Sequence, residues 1–470
     1  MKKTKIICSI GPASNNVDTI EEMIKAGMNC ARINFSHATY ESARQTVDNV
    51  LEAKKRAKKN IAILFDTKGP EFRNDEVQEG GINLVEGNTI KVVKEHVVGN
   101  EERFSVNHPE VIDSLEVGNS ILLENGLMRI DVIEKDSDSV TCKVVSGGVL
   151  GNKKSLNAPG VHLNVPFISE QDRNDIIFAC HNEGDFLAAS FVSCKEDVQA
   201  IREIIDKEGS TMKIIAKIEN TMAIKNIEEI IHEADGIMVA RGDLGVEASL
   251  EDLPHYQKMI IRKTREHSKF VIVATEMLES MKENLRPTRA EVSDVANAIV
   301  DGTDAVMLSG ETAQGKYPVE TVRIMANICE RQEGYTSYNT NYNYERKNNI
   351  VEMVAESACL SANELDAKLI VTGTLSGYTA RKLSNMKPNC SIFATCADAK
   401  IARSLSLYYG VETWVVDFYT STDEMIDNSI KVARERFDLK AGDLVVITGG
   451  FTGETFEEHS TNLMKIVNIK

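Results

Sequence analysis

The run KIIAKIEN sets Lys217 and Glu219 two residues apart, so on a strand both side chains leave the same face. The next apolar run ends in ARGDLGVE, which delivers Asp243 on a glycine-flanked turn. Carboxylates from two neighbouring strands are hard oxygen donors of the kind Mg²⁺ accepts, with substrate oxygens and water completing the octahedron. A lysine ammonium beside them can stabilise charge on a transferring phosphoryl group or on the oxygen it leaves. A structural ion pair between Lys217 and Glu219 explains the same two residues, and the local pattern alone leaves both readings open.

Positioning such a set needs rigid elements. Compact apolar runs, the pattern of buried parallel strands, begin at Lys5, Cys30, Ile61, Phe186, Lys213, Gly236, Phe270 and Ala305. Amphipathic stretches such as TIEEMIKAG and ESARQTVDNVLEAKKRAKK lie between most of them. Eight strands alternating with helices predict an α/β fold, a (β/α)₈ TIM barrel, whose active site sits at the C-terminal strand ends. Polar clusters fall at those ends: Arg32, Asn34 and Ser36; Asp66, Thr67 and Lys68; Lys217 and Glu219; Arg241 and Asp243; Thr275 and Glu276; Ser309 and Glu311. Loop polarity explains any one of them, but not six at the same end.

Between Gly69 and about Phe167 the helical period disappears, and alternating runs are separated by Gly-, Asn- and Asp-rich turns. This predicts an inserted small β-barrel, a lid at 70–167 over a catalytic barrel built from 1–69 and 168–340. The polar tract YTSYNTNYNYERKNN reads as a linker. Beyond it AKLIVTGT, CSIFATC, VETWVV, DLVVIT and NLMKIVNI alternate with helical segments, predicting an open α/β regulatory domain over 346–470.

The formal net charge of −17 opposes a nucleic-acid or membrane-surface role. Nine scattered cysteines without a Cys-x-x-Cys pair indicate neither a zinc site nor a disulfide framework. The basic start MKKTKIICSIGP loses its apolar run at Gly11-Pro12, too short for a signal peptide, and no membrane-length apolar span follows. A cytoplasmic location is expected.

KIEN with ARGDLGVE, ARINFSH, DTKGPEFR, ATEMLESM and the long RPTRAEVSDVANAIVDGTDAVMLSGETAQGKYP run together resemble the pyruvate kinases, over essentially the whole chain. The resemblance implies phosphoryl transfer from phosphoenolpyruvate to ADP, giving pyruvate and ATP, assisted by Mg²⁺ (or Mn²⁺) and K⁺. It implies that Arg32 contacts the phosphoryl group and that Lys217 stabilises the transition state and the enolate. Glu219 and Asp243 would hold the divalent ion. Asn34, Ser36, Asp66 and Thr67 would supply oxygens to K⁺, and Glu71 occupies the position that accompanies potassium dependence. His37, Arg73 and Lys154, with Asn34 and Ser36, would lie on the nucleotide side. Gly242, Asp243 and Thr275 would contact substrate, and Thr275 and Ser309, with Glu311, would serve protonation of the enolate. The chain departs from the family pattern at Glu276, where glutamine is usual, at Ser193, at Glu124-Asn125 and within NKKSLNAPG.

In the C-terminal domain Thr372, Thr374, Ser376 and Gly377 precede a helix, an arrangement suited to a phosphate. The resemblance implies a phosphorylated effector there. The late loop GGFTGETFEEHS is acidic and without arginine, which points to a monophosphate or to no effector, and a plain capped turn is the alternative. The family likeness also implies a homotetramer. Two other classes fit parts of the pattern: a metal-dependent lyase acting on pyruvate, and a silent scaffold. The lyase does not require the inserted lid or the Asn34, Ser36, Asp66 and Thr67 set, and intact Lys217, Glu219, Asp243, Arg32 and Thr275 argue against the scaffold.

Overall fold

The computed structural model describes residues 2–161, 165–336, 338, 349–417, 421–450 and 461–470. Most of the polar linker tract and residues 451–460 of the acidic late loop lie outside the described residues.

All eight expected strands form: Lys5–Ser9, Cys30–Asn34, Ala62–Asp66, Phe186–Ala189, Lys213–Ile218, Gly236–Ala240, Phe270–Ala274 and Ala305–Leu308. Each pairs in parallel with its neighbours in sequence, and the eighth closes on the first through Lys5 opposite Ala305. Helices cover the outer face, so nearly every strand residue is buried. That two-sided burial is why these runs read as continuous rather than alternating apolar segments.

The floor of the barrel repeats one device. The residue just before each even-numbered strand is Asn29, Asp185, Asp235 or Asp304. Its side-chain oxygen accepts from the second N–H of the preceding odd strand: Ile6 (3.0 Å), Ile63 (3.0 Å), Ile214 (2.9 Å) and Val271 (2.9 Å). Each also takes a cation, from Lys2, Arg403, Arg202 and Lys387 respectively. Arg403 and Lys387 belong to the C-terminal domain, which therefore docks by neutralising the floor. Apolar contact reinforces this docking, with Phe270 stacked edge-on between Phe186 and Tyr408.

The inserted segment forms a six-stranded sheet and a two-stranded pair. Its edges meet through residues 72–75: Leu156 N–H donates to the Phe72 carbonyl (2.8 Å) and Asp75 N–H to that of Ser105 (2.9 Å). The expected small barrel thus closes on a short connecting segment. The C-terminal domain is a five-stranded sheet, four strands parallel and Leu463–Asn468 antiparallel at the edge, with all five expected strands present.

Lys387 is fully buried, 2.7 Å from Asp304 and 4.1 Å from the Tyr409 ring centre. Burial pulls its ammonium down to about 8 despite the Asp304 carboxylate. Replacing it with methionine would leave Asp304 buried without its counter-charge, at an expected cost of about 3–5 kcal/mol. The Lys387→Met variant should therefore melt several degrees below the parent, and an unchanged melting curve would contradict this account of domain docking.

Candidate active site

The strand ends bring together the charges that the sequence separates by nearly two hundred residues. Arg32, on the second strand, donates from Nε to Asp66 Oδ2 (2.7 Å) and from Nη1 to Ser9 Oγ (2.8 Å). Lys217, on the fifth strand, directs its ammonium at Glu219 Oε1 (2.8 Å), Ser190 Oγ (2.7 Å) and Asp66 Oδ1 (3.2 Å). Arg32, Asp66, Lys217 and Glu219 are all buried. Two cations therefore alternate with two carboxylates at the barrel mouth.

Burial and pairing act in opposite directions on these groups. Burial alone would discharge Lys217, but the Asp66 and Glu219 carboxylates outweigh it and hold the ammonium above the ordinary lysine range. Burial likewise opposes ionisation of Asp66, yet Arg32 and Lys217 keep it below the usual carboxylate range. Glu219 goes the other way. Burial, with the nearby Asp243 carboxylate, pushes it up to about 7 against the pull of Lys217. Lys217 divides its charge between two carboxylates while Asp243 adds repulsion, so burial prevails at Glu219.

Strained backbone aims the rest. Phe191 has φ of 58° and donates its N–H to Glu219 Oε2 (2.7 Å). Thr275 and Glu276 follow one another at φ of 69° and 54°. Such non-glycine conformations cost about 1–3 kcal/mol each and need surrounding contacts to persist. Here Arg241 supplies one, donating from Nη2 to the Thr275 carbonyl (2.7 Å) while Nη1 holds Asp294 (2.7 Å). Gly242 N–H donates to Thr275 Oγ1 (2.8 Å), joining the two expected substrate contacts. The Glu276 side chain is exposed, so this departure leaves the buried charge cluster unaltered.

The remaining expected residues are distributed around this core. Asn34 lies opposite Asp66 in strand register, and its Oδ1 accepts from Ser36 N–H (3.1 Å). Thr67 Oγ1 accepts from Ser190 N–H (3.2 Å). Ser309 N–H donates to Glu311 Oε2 (2.7 Å), and Leu278 N–H to Glu311 Oε1 (3.1 Å); burial raises the Glu311 carboxyl. Glu311 thus fixes the loop that carries Ser309. His37 is exposed. Arg73 and Lys154 are in the inserted domain, away from the charge cluster. Arg73 forks onto Glu71 (2.8 and 2.5 Å), and Lys154 pairs with Glu124 (2.5 Å). A cavity of about 170 Å³ separates that domain from the barrel, lined by Phe72, Asn157, Phe191, Asn220, Asp243 and Glu247 among others.

In the C-terminal domain Thr374 Oγ1 accepts from Gly377 N–H (2.9 Å), and Ser376 carbonyl accepts from Arg381 (2.9 Å). Gly377, in the left-handed region, starts the helix Tyr378–Asn385. Thr372 is buried on the strand beneath. The geometry is that of a capped turn.

Ser190, the Phe191 N–H and the role of Glu124 were not anticipated. The fourth strand ends at Ala189 and runs on into Ser190-Phe191 with no charge to draw the eye; only its position in the alternation marks Ser190 as a mouth residue.

Among known protein families, the barrel-domain model of pyruvate kinase matches residues 1–322, and the alpha/beta-domain model matches 352–467. The chain belongs to the pyruvate kinase family. A pyruvate kinase of Geobacillus stearothermophilus is 46% identical over 99% of this chain and 80% of its own length, and one of Bacillus licheniformis is 44% identical with the same coverage. A crystal structure of a pyruvate kinase from Cryptosporidium parvum superposes with a TM-score of 0.94 at 38% identity, covering all of this chain and 96% of the other. The pyruvate kinase barrel match includes the inserted domain, so barrel, insertion and terminal domain are all accounted for.

Proposed function

We propose that this protein transfers the phosphoryl group of phosphoenolpyruvate to ADP, giving pyruvate and ATP. Family membership supports the reaction, and the buried Arg32–Asp66–Lys217–Glu219 cluster supports the assignment of roles. Phosphoryl transfer needs positioning and charge neutralisation more than covalent help from the protein. Arg32 and Lys217 are charged, dehydrated and held in place before substrate arrives, so they need little reorganisation to meet the phosphoryl oxygens.

Glu219 and Asp243 are the pair suited to a divalent ion. Burial, and after it the Asp243 carboxylate, raise the Glu219 carboxyl, and a cation bound between the two acids would relieve both effects. Among the described residues no group of three or more His, Cys, Asp or Glu side chains is disposed around an ion. Two protein carboxylates with substrate oxygens and water suit Mg²⁺ or Mn²⁺ better than an all-protein cage would. Asn34, Ser36, Asp66 and Thr67 would offer oxygens to K⁺ beside Arg32. When bound, these ions would supply positive charge that offsets the charge developing on the phosphoryl group.

Gly242 N–H and Thr275 would hold the substrate carboxylate, exchanging their mutual hydrogen bond for bonds to it. Lys217 would neutralise the enolate as the phosphoryl group leaves. Thr275 and Ser309, the latter oriented by Glu311, would deliver the proton to carbon through a hydroxyl or water. His37, Arg73 and Lys154 would meet the nucleotide from the loop and the inserted domain, which requires Arg73 and Lys154 to exchange Glu71 and Glu124 for phosphate. A phosphorylated effector at Thr372, Thr374, Ser376 and Gly377 would have to open the capped turn. A homotetramer is supported by exposed apolar residues on the terminal domain, including Ile350, Met353, Leu360 and Ile466. A cytoplasmic setting accords with this reaction, and among the described residues no helix is long and apolar enough to cross a membrane.

Lys217→Met should lower phosphoryl transfer by at least about 10²-fold while metal and substrate binding stay measurable, because one preorganised donor alone is worth about 10²–10³. Pyruvate release at the parent rate would remove Lys217 from the chemistry. Replacing K⁺ by tetramethylammonium at equal ionic strength should reduce pyruvate formation at least about tenfold, through loss of one charge from a dry site. Equal rates in both salts would exclude the monovalent site. Below pH about 7 the Glu219 carboxyl takes up a proton that Mg²⁺ must displace. Mg²⁺ affinity measured by calorimetry should therefore fall toward about tenfold per pH unit beneath that point and level off above it. An affinity independent of pH from about 5.5 to 7.5 would contradict ligation by Glu219.

A further inference from the structure

Ser190 follows the fourth strand, is buried, and touches both neighbouring strand ends. Its hydroxyl has one hydrogen and two lone pairs. The hydrogen goes to the Thr67 carbonyl at 2.7 Å, much closer than the alternative acceptor, Asp66 Oδ1, at 3.3 Å. With that hydrogen committed, Ser190 Oγ can only accept from Lys217, which it does at 2.7 Å. A second bond fixes the pair, as Ser190 N–H donates to Thr67 Oγ1 (3.2 Å). Gly69 closes the contact. At φ of 69°, a Cβ there would sit 2.9 Å from the Ser190 carbonyl oxygen, so the loop packs against this residue without space for a side chain.

Lys217 has three ammonium hydrogens and, among the described residues, three protein acceptors, of which Ser190 is the uncharged one. The two carboxylates stand at the ends of the third and fifth strands, on either side of the fourth, and pull the ammonium in different directions. The hydroxyl supplies the third direction that makes the arrangement a tripod, and it derives its own orientation from Thr67. We propose that Ser190 is a positioning residue that sets the direction of the Lys217 ammonium and couples it to the Asp66-Thr67 loop. This rests on the assignment of Lys217 to phosphoryl transfer and of that loop to the monovalent ion. Ion binding at the loop would thereby fix Lys217 without touching it.

The test is Ser190→Ala in the full-length protein, measured beside Lys217→Met. Misplacement of a catalytic group by a fraction of an ångström to about 1 Å costs on the order of 10- to 100-fold. The alanine variant should lose that much in kcat, with KM for phosphoenolpyruvate changed less than about threefold, since the loss is confined to the transition state. Its half-saturating K⁺ concentration should rise, and the increase in melting temperature produced by KCl over tetramethylammonium chloride should shrink. The last readout does not depend on turnover. A kcat within about twofold of the parent, a loss confined to KM, or an unchanged K⁺ response in both assays would overturn the proposal. Should alanine melt too early to assay, Ser190→Cys keeps the volume with a weak acceptor, and parent-like behaviour there would overturn it equally. An inactive Lys217→Met with a normal Ser190→Ala defeats only this coupling, whereas an active Lys217→Met defeats the underlying assignment.

Discussion

A dehydrated ammonium between two carboxylates organises this molecule. Lys217 can stay charged in the barrel mouth because Asp66 and Glu219 flank it, and Asp66 can stay charged because Arg32 and Lys217 share it. Removing one member leaves the others buried with unbalanced charge, which is why pairs of this kind tolerate little change. The barrel supplies the necessary precision: four charges from three strands reach one point because strand register fixes where each backbone ends. Electrostatic order without bound substrate is a state of readiness, since the work of desolvating the cations is done during folding.

The same site concentrates conformational strain. Phe191, Thr275 and Glu276 adopt left-handed backbones beyond strand ends, where the Phe191 N–H meets Glu219 and the Thr275 hydroxyl meets Gly242 N–H. Arg241 meets this cost locally by gripping the Thr275 carbonyl, and Glu311 does similar work for Ser309 by accepting two backbone N–H bonds. These two side chains are buried and charged or ionisable, yet their visible task is to hold loops. Chemistry-bearing residues in this fold are thus surrounded by others whose polarity serves geometry alone.

Much of this was legible beforehand. Every barrel strand could be read from apolar runs, because burial on both faces leaves an unbroken hydrophobic signature. Lys217, Glu219 and Asp243 could be paired from strand alternation and turn position. Ser190 could not, since a serine after Ala-Ala carries no chemical contrast and its importance lies in what stands on the strands to either side of it. The partners of Arg73 and Lys154 were hidden for a related reason: Glu71 and Glu124 are ordinary loop acids until the inserted sheet curls and brings them into reach. The carboxyl–amide motif of the floor was in plain view as an Asn or Asp before every even strand, but its function needs the preceding strand's N–H, which sequence spacing does not display.

That floor has a consequence for how the chain can be divided. Asp185 and Asp304 are partners to two catalytic-barrel strands on one side and to Arg403 and Lys387 on the other. A barrel detached from its C-terminal companion would expose two bare acids and an aromatic face at Phe270 where it now has neighbours. The terminal domain is therefore the foundation slab of the barrel as well as an addition to it. Shifts in how that slab sits are mechanically connected, through the odd strands whose amides it anchors indirectly, to the rim where Lys217 stands.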